Sequence, residues 1–304
     1  MAYTAHDLLK RILDTKALAI WDRAKGPVFW YTAGVPGPFF VNTEWIIGTD
    51  LSAKLVNGIS AIMEQTPDAG TRAARINAMI MSAYDASEVY HQVIGSMIDK
   101  TRASFAPNGF TLISGGERRD WLFSIPLAHE LGLSHVFLFK DLSAFCETPV
   151  AKGSAVLHVA DLINNAASYF ERWFPALEKA GLHCTGTVCV NSRGTGAKKL
   201  EQAGIKVAAL VTLDIEFFRQ SQKNGLIDAE TLAEIECHEG SPAAWAEQYL
   251  IGRDPVFDVG HVDTKSFERM QTFFTQDPWT LQPKHEAVFA RMRAAIAERK
   301  AKIA

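Results

Sequence analysis

Between Phe110 and Thr212 the chain carries five short apolar runs, at residues 110–114, 135–140, 155–160, 184–190 and 206–212. Short runs dominated by apolar residues are what strands buried on both faces give. Helical patterns separate the first run from the second, the third from the fourth and the fourth from the fifth. Strand and helix in alternation predict an α/β fold: a mostly parallel five-stranded sheet with flanking helices. Right-handed crossovers then fix much of the topology. The second gap, residues 141–154, has no helical period and contains Pro149, so it predicts a loop.

In an open parallel sheet, ligands bind beyond the carboxyl ends of the strands, so the residues that follow each run are the candidates for chemistry. After the first come Ser114, Gly115, Gly116, Glu117, Arg118, Arg119 and Asp120; after the second, Lys140; after the fourth, Asn191, Ser192, Arg193 and Gly194. Paired glycines let backbone N–H groups approach an anion, and Arg118 or Arg119 can add charge-assisted hydrogen bonds. The same residues also fit a plain strand-to-helix turn. Two cations at a helix start nevertheless oppose the helix dipole and call for a reason.

The third run is the most informative. Ala155-Val156-Leu157-His158-Val159-Ala160 leads to Asp161, then through Leu162 and Ile163 to Asn164, Asn165, Ala166, Ala167 and Ser168. An apolar-periodic stretch with Tyr169, Phe170, Trp173, Phe174 and Leu177 follows. The order is strand, acid, small-residue turn and helix, and a turn entering a helix suits a phosphate. Taken alone, the stretch also fits an ordinary buried strand ending in an Asp.

This stretch resembles the ribose-phosphate signature of type I phosphoribosyltransferases: an apolar strand, two acids, two apolar residues and a Thr/Gly-rich turn. The acids fall on Ala160 and Asp161 and the turn on residues 164–168, so one acid is lost and both turn glycines are Ala166 and Ala167. The orotate enzymes resemble the chain most. Their amino-terminal hairpin pattern aligns with Ala33-Gly34-Val35-Pro36-Gly37-Pro38-Phe39-Phe40, and the layout agrees from Phe29 to Asp214. The resemblance implies phosphoribosyl pyrophosphate with Mg²⁺ along the strand edge. Asp161 would hold the ribose hydroxyls, Asn164 to Ser168 the 5′-phosphate, and Ser114 to Arg119 the pyrophosphate. Lys140 would face a phosphate, and Arg193 matches an arginine that faces the orotate carboxylate. The hairpin would lie over a base pocket. The loop at 141–151 departs from the family, because it has no Lys, Arg or His.

The rest of the 304 residues frame this core. The expected organisation is a hood-like helical and hairpin region at 1–104, the α/β core at 105–219 and a helical extension at 220–304. Leu8, Leu9, Ile12, Leu13 and Ile20 predict a helix over residues 1–20, with Thr4 and Asp7 as a capping box. Residues 29–32 and 38–42 predict a hairpin around a Gly/Pro turn. Three apolar stripes predict helices over 50–102, and the methionines in them read as core. In the tail, residues 229–235, 242–251, 266–274 and 285–303 read as helices punctuated by Pro255, Gly260 and Pro278. His238, His261 and His285 have no ligand spacing, and no metal-binding residue is assigned.

A net charge of −3 gives no broad basic surface for nucleic acid. Four cysteines without metal or disulfide-framework spacing fit a reduced, cytoplasmic chain. No run approaches a membrane span and the amino terminus has no secretory pattern. A homodimer is expected. Two functions follow from the resemblance. One is a transferase of pyrimidine-type nucleotide metabolism, a glycosyltransferase passing phosphoribose from phosphoribosyl pyrophosphate to a nitrogenous base. The other is a non-catalytic member that binds the ligand or a nucleotide, which the missing acid, the alanines and the bare loop favour.

Overall fold

A computed structural model describes residues 2–23, 26–251 and 257–303. The chain divides into two compact units, Met1–Ala17 with Thr43–Phe217, and Leu18–Asn42 with Phe218–Ala304. The segment Leu18–Asn42 falls in the same unit as the tail, not with the helices that follow it.

The first unit is built on six strands: β1 (Leu112–Gly116), β2 (Ser134–Leu138), β3 (Ala144–Cys146), β4 (Ala155–Ile163), β5 (His183–Ser192) and β6 (Lys206–Thr212). Their order in the sheet is β6-β5-β4-β1-β2-β3. All neighbours are parallel except β2 and β3. The expected five strands are therefore joined by a sixth. Phe139 N–H reaches the Ser143 carbonyl at 3.0 Å, closing a tight turn that folds the supposed loop back along β2. Three residues are too few to show an alternation in sequence.

The chain leaves β1 toward β2 on one side and returns to β4 on the other. The sheet thus has its topological switch point between β1 and β4, the place where open α/β sheets form a crevice. Beside these strands lie the helices α1 (Ala5–Asp14), α2 (Thr49–Gln65), α3 (Ala69–Asp85), α4 (Glu88–Ser104) and α5 (Trp121–Leu131). Their apolar stripes are buried as the periodicity requires: Leu55, Ile59 and Ile62, then Ile76 and Ile80, then Val93 and Met97. Thr4 caps α1 by accepting the Asp7 N–H at 3.1 Å. That helix stops at Asp14, short of the expected Ile20, and Lys16 turns left-handed at φ 57°.

In the second unit, Phe29–Trp30 pairs antiparallel with Pro36–Gly37, and Leu18–Ile20 pairs with Phe39–Val41. The expected hairpin is thus tighter than the sequence suggested, and its second run pairs elsewhere. Gly34, at φ 75°, makes the turn. Helices Ala229–Gly240, Thr264–Gln276 and Glu286–Ile303 surround a core of Trp21, Trp30, Trp245, Met270, Phe273 and Phe289. The Arg299 guanidinium donates to the Val262 carbonyl at 2.9 Å and lies over the Phe267 ring. Pro255 lies outside the described residues. Among those residues, no helix is long and apolar enough to cross a membrane.

Candidate functional site

β1 ends against two other elements with no space between them. A Cβ on Gly115 would stand 2.1 Å from Ser124 Oγ, and one on Gly116 would stand 2.4 Å from the Trp173 indole. The glycines are there so that α5 and the helical segment after β4 can lie on the sheet. Ser114, Gly115 and Gly116 are fully buried strand residues and do not line a cleft. The Ser114 hydroxyl instead meets His158 Nδ1 at 3.0 Å.

The exposed loop starts one residue later. Glu117 N–H donates to the Leu138 carbonyl at 2.9 Å. The Glu117–Arg118 peptide is cis. Arg118 donates to Ser60 Oγ on α2, and Arg119 pairs with the buried Glu44 at 3.3 Å. Lys140 joins from β2's end: its N–H donates to Glu117 Oε2 at 3.1 Å and its ammonium lies 3.6 Å from Oε1. The Asp120 carboxylate accepts the N–H groups of Gly116 at 3.1 Å and Asp161 at 2.9 Å. It therefore fastens the ends of β1 and β4 to one anion.

β4 runs past the expected end at Ala160 to Ile163, so Asp161 sits within the strand. The turn that follows takes a left-handed residue without a glycine, with Ala166 at φ 60°. Asn165 Oδ1 accepts the Ala167 N–H at 3.0 Å, an Asx turn. From the β5 side, Arg193 N–H donates to the Ile163 carbonyl at 2.8 Å and Gly196 N–H to the Asn164 carbonyl at 2.7 Å. A wide helical turn, Tyr169–Trp173, then leads into Phe174–Lys179.

These elements enclose a cleft of about 320 Å³ at the switch point. The Glu117–Asp120 loop and Lys140 form one wall, and Ala160, Asp161 and the turn from Asn164 to Ser168 form the other. Thus Glu117, Arg118, Arg119, Lys140, Asp161, Asn164, Asn165, Ala166, Ala167 and Ser168 come together, while Ser114, Gly115, Gly116 and Arg193 stay off the cleft. Burial raises the Asp161 carboxyl well above the usual range; the Asp120 charge adds to this and Arg119 opposes it. Beneath the cleft lies a buried polar layer. Tyr169 OH and Thr187 Oγ1 are 2.7 Å apart, Thr187 Oγ1 donates to the His158 carbonyl, and the His158 ring lies nearly parallel to Trp173.

No family model matches the sequence. It is 26% identical over 146 residues to an orotate phosphoribosyltransferase of Cereibacter sphaeroides (strain KD131 / KCTC 12085), spanning 45% of this chain and 62% of that protein. It is 36% identical over 92 residues to a hypoxanthine/guanine phosphoribosyltransferase of Methanothermococcus okinawensis, spanning 30% of this chain and 46% of that one. The chain thus spans about half the length of the curated relatives it matches. The solved UMP synthase of Leishmania donovani matches 78% of this chain and 42% of its own with a TM-score of 0.55 at 14% identity. The chain has the type I phosphoribosyltransferase fold.

The sequence reading names Asp120 among the residues after the first run but gives it no role, and it looks for acids on β4, at Ala160 and Asp161. The signal was present as Arg118-Arg119-Asp120 just before an apolar helix, and the loop that brings Asp120 back to β4 is the part that sequence spacing does not encode.

Proposed function

We propose that the chain binds phosphoribosyl pyrophosphate or a nucleotide in the switch-point cleft and transfers phosphoribose to a nitrogenous base. The observation that carries this reading is the shared cleft of Asp161, the Asn164–Ser168 turn and the Glu117–Asp120 loop. The turn leads into a helical segment and offers N–H groups and Asn amides to a phosphate. Arg118, Arg119 and Lys140 bring positive charge to the opposite wall, where a diphosphate would lie. Both sequence relatives are transferases by name, which favours an enzyme over a non-catalytic binder.

In the reaction, the bond from the ribose anomeric carbon to pyrophosphate breaks with its electron pair leaving on the diphosphate. A ring nitrogen of the base supplies the pair for the new bond and loses its proton. Catalysis on this scheme is mainly positioning and charge stabilisation. Mg²⁺ fits the donor chemistry. Asp120 and Asp161 are hard oxygen donors in the cleft and would be the residues beside such an ion, which would screen the diphosphate charge. A cytoplasmic homodimer belongs to the same reading.

Calorimetry with phosphoribosyl pyrophosphate and Mg²⁺ tests binding, and pyrophosphate release with a panel of purine and pyrimidine bases tests transfer. Binding with release for at least one base is expected. No binding would end the proposal.

A further inference from the structure

The three cations that line the cleft, Arg118, Arg119 and Lys140, are each held by an acceptor of the chain, and the holds differ in kind. Arg118 donates to the Ser60 hydroxyl, a neutral partner, and keeps its full charge for a ligand. Arg119 pairs with Glu44, whose side chain is 8% exposed and whose Oε2 makes no hydrogen bond. Taking Arg119 away would strand a buried charge, so that pair stays closed. Lys140 meets Glu117 where both line the cleft, its ammonium 3.6 Å from Oε1 and its side chain 47% exposed. A half-exposed pair of this kind is weak and opens readily. Glu117 does not leave when it opens: Oε2 stays on the Lys140 N–H at 3.1 Å, and the Glu117 N–H stays on the Leu138 carbonyl at 2.9 Å. Its carboxylate is therefore a negative charge fastened by main chain to the wall that gathers the cations.

We propose that Glu117 is an internal counter-ion that sets the cleft's affinity and charge preference for anions: it holds Lys140, and an incoming diphosphate must take Lys140 from it. The inference rests on the phosphoribosyl reading, which supplies the diphosphate. No covalent bond changes in the exchange. The ammonium trades a carboxylate oxygen for a phosphate oxygen, and Glu117 Oε1 goes to water. The carboxylate left standing repels the newcomer, and it repels a more highly charged anion more strongly. The wall thus draws an anion in through Arg118 while Glu117 keeps its hold loose enough for release, with specificity set by a repulsive element as well as by attraction.

The test is calorimetry on the full chain with pyrophosphate and with inorganic phosphate. Glu117→Gln should bind pyrophosphate about fivefold more tightly than wild type, the upper end of what a half-exposed ion pair is worth, and should gain by a smaller factor with inorganic phosphate. In a Lys140→Met background the same substitution should gain about twofold or less, because the contact it frees is gone. A residue that merely positions Lys140 would behave in the opposite way, and Glu117→Gln would weaken both anions. Unchanged or weaker pyrophosphate binding in Glu117→Gln overturns the inference, and so does the full gain in the Lys140→Met background. If Glu117→Gln does not fold, Glu117→Asp, which draws the carboxylate back from the ammonium by one methylene, should gain in the same direction, and no gain overturns the inference. No binding of pyrophosphate by wild type or variant also ends it, while the phosphoribosyl reading stands or falls separately on the binding of phosphoribosyl pyrophosphate.

Discussion

A methyl group on Gly116 would stand 2.4 Å from the Trp173 indole, so the end of β1 and the helical segment after the Asn164–Ser168 turn are held in direct contact. Gly116→Ala should destabilise the chain by about 1–3 kcal/mol through overpacking. It should also weaken phosphate binding, because the segment that carries the turn must move. Trp173→Leu in the same chain should recover part of the loss, a positive coupling that a double-mutant cycle in urea measures. Additive effects would show that the two residues do not press on each other.

Ala166 holds φ 60° while its methyl is buried. A left-handed L-residue costs roughly 1–2 kcal/mol, whereas removing a buried methyl costs about 0.8 kcal/mol. Ala166→Gly should therefore be neutral or stabilising by up to about 1 kcal/mol. Ala176→Gly, equally buried but helical, should lose about 1–2 kcal/mol. Thermal melts of the two variants side by side decide it, and a matched loss in both would show that the turn at 166 does not need the left-handed conformation.

Two buried groups tilt stability with pH in opposite senses. Asp161 is raised above its ordinary 3.8 by burial and by Asp120. The folded state holds this proton more tightly, so its contribution is complete below about pH 4 and is lost as pH rises through the folded value. Asp161→Asn should be more stable than wild type at pH 8, with the gap closing toward pH 4. His135 is lowered from 6.5 to about 3, chiefly by burial and further by His158. Its contribution is present above pH 6.5 and is lost as pH falls toward 3. His135→Gln should flatten that acid limb. Denaturant titrations across pH 3–8 test both, and parallel curves for wild type and either variant would remove that residue from the balance.

Arg118 reaches across to Ser60, and Arg193 does not line the cleft. Arg118→Ala should weaken binding of pyrophosphate by about 1–3 kcal/mol, and the loss should shrink at high salt. Arg193→Ala should leave that affinity within a few tenths of a kcal/mol. Calorimetry at two ionic strengths separates them, and an equal loss in both would return Arg193 to the site.

The sheet was legible because a strand buried on both faces has little freedom in composition. Residues 155–160 show this, whereas β6, at the sheet's edge with Ala208 and Val211 buried, is legible from its apolar run alone. β4 continued to Ile163 because parallel pairing with β5 holds it, Leu162 opposite Asn191, and that pairing tolerates Asp161 at a cleft edge. The strand Leu18–Ile20 was taken into a helix because its apolar spacing suits either period, and only Lys16 and the partner at Phe39–Val41 decide between them. The cleft was half legible. Asp161 and the turn lie in one run of sequence. Asp120 reaches the same cleft from the loop after β1, 41 residues before Asp161, and spacing carries no trace of that.

The turn from Asn164 to Ser168 is gripped from outside through main-chain atoms, by the N–H groups of Arg193 and Gly196 on the Ile163 and Asn164 carbonyls. A grip of that kind is indifferent to the side chains of the residues it holds. Alanines can stand where glycines would be easier, and asparagines where hydroxyls would serve, while the contour offered to a phosphate persists. The letters of such a segment are free to drift far ahead of its shape, and the path of the backbone outlasts the spelling of the turn.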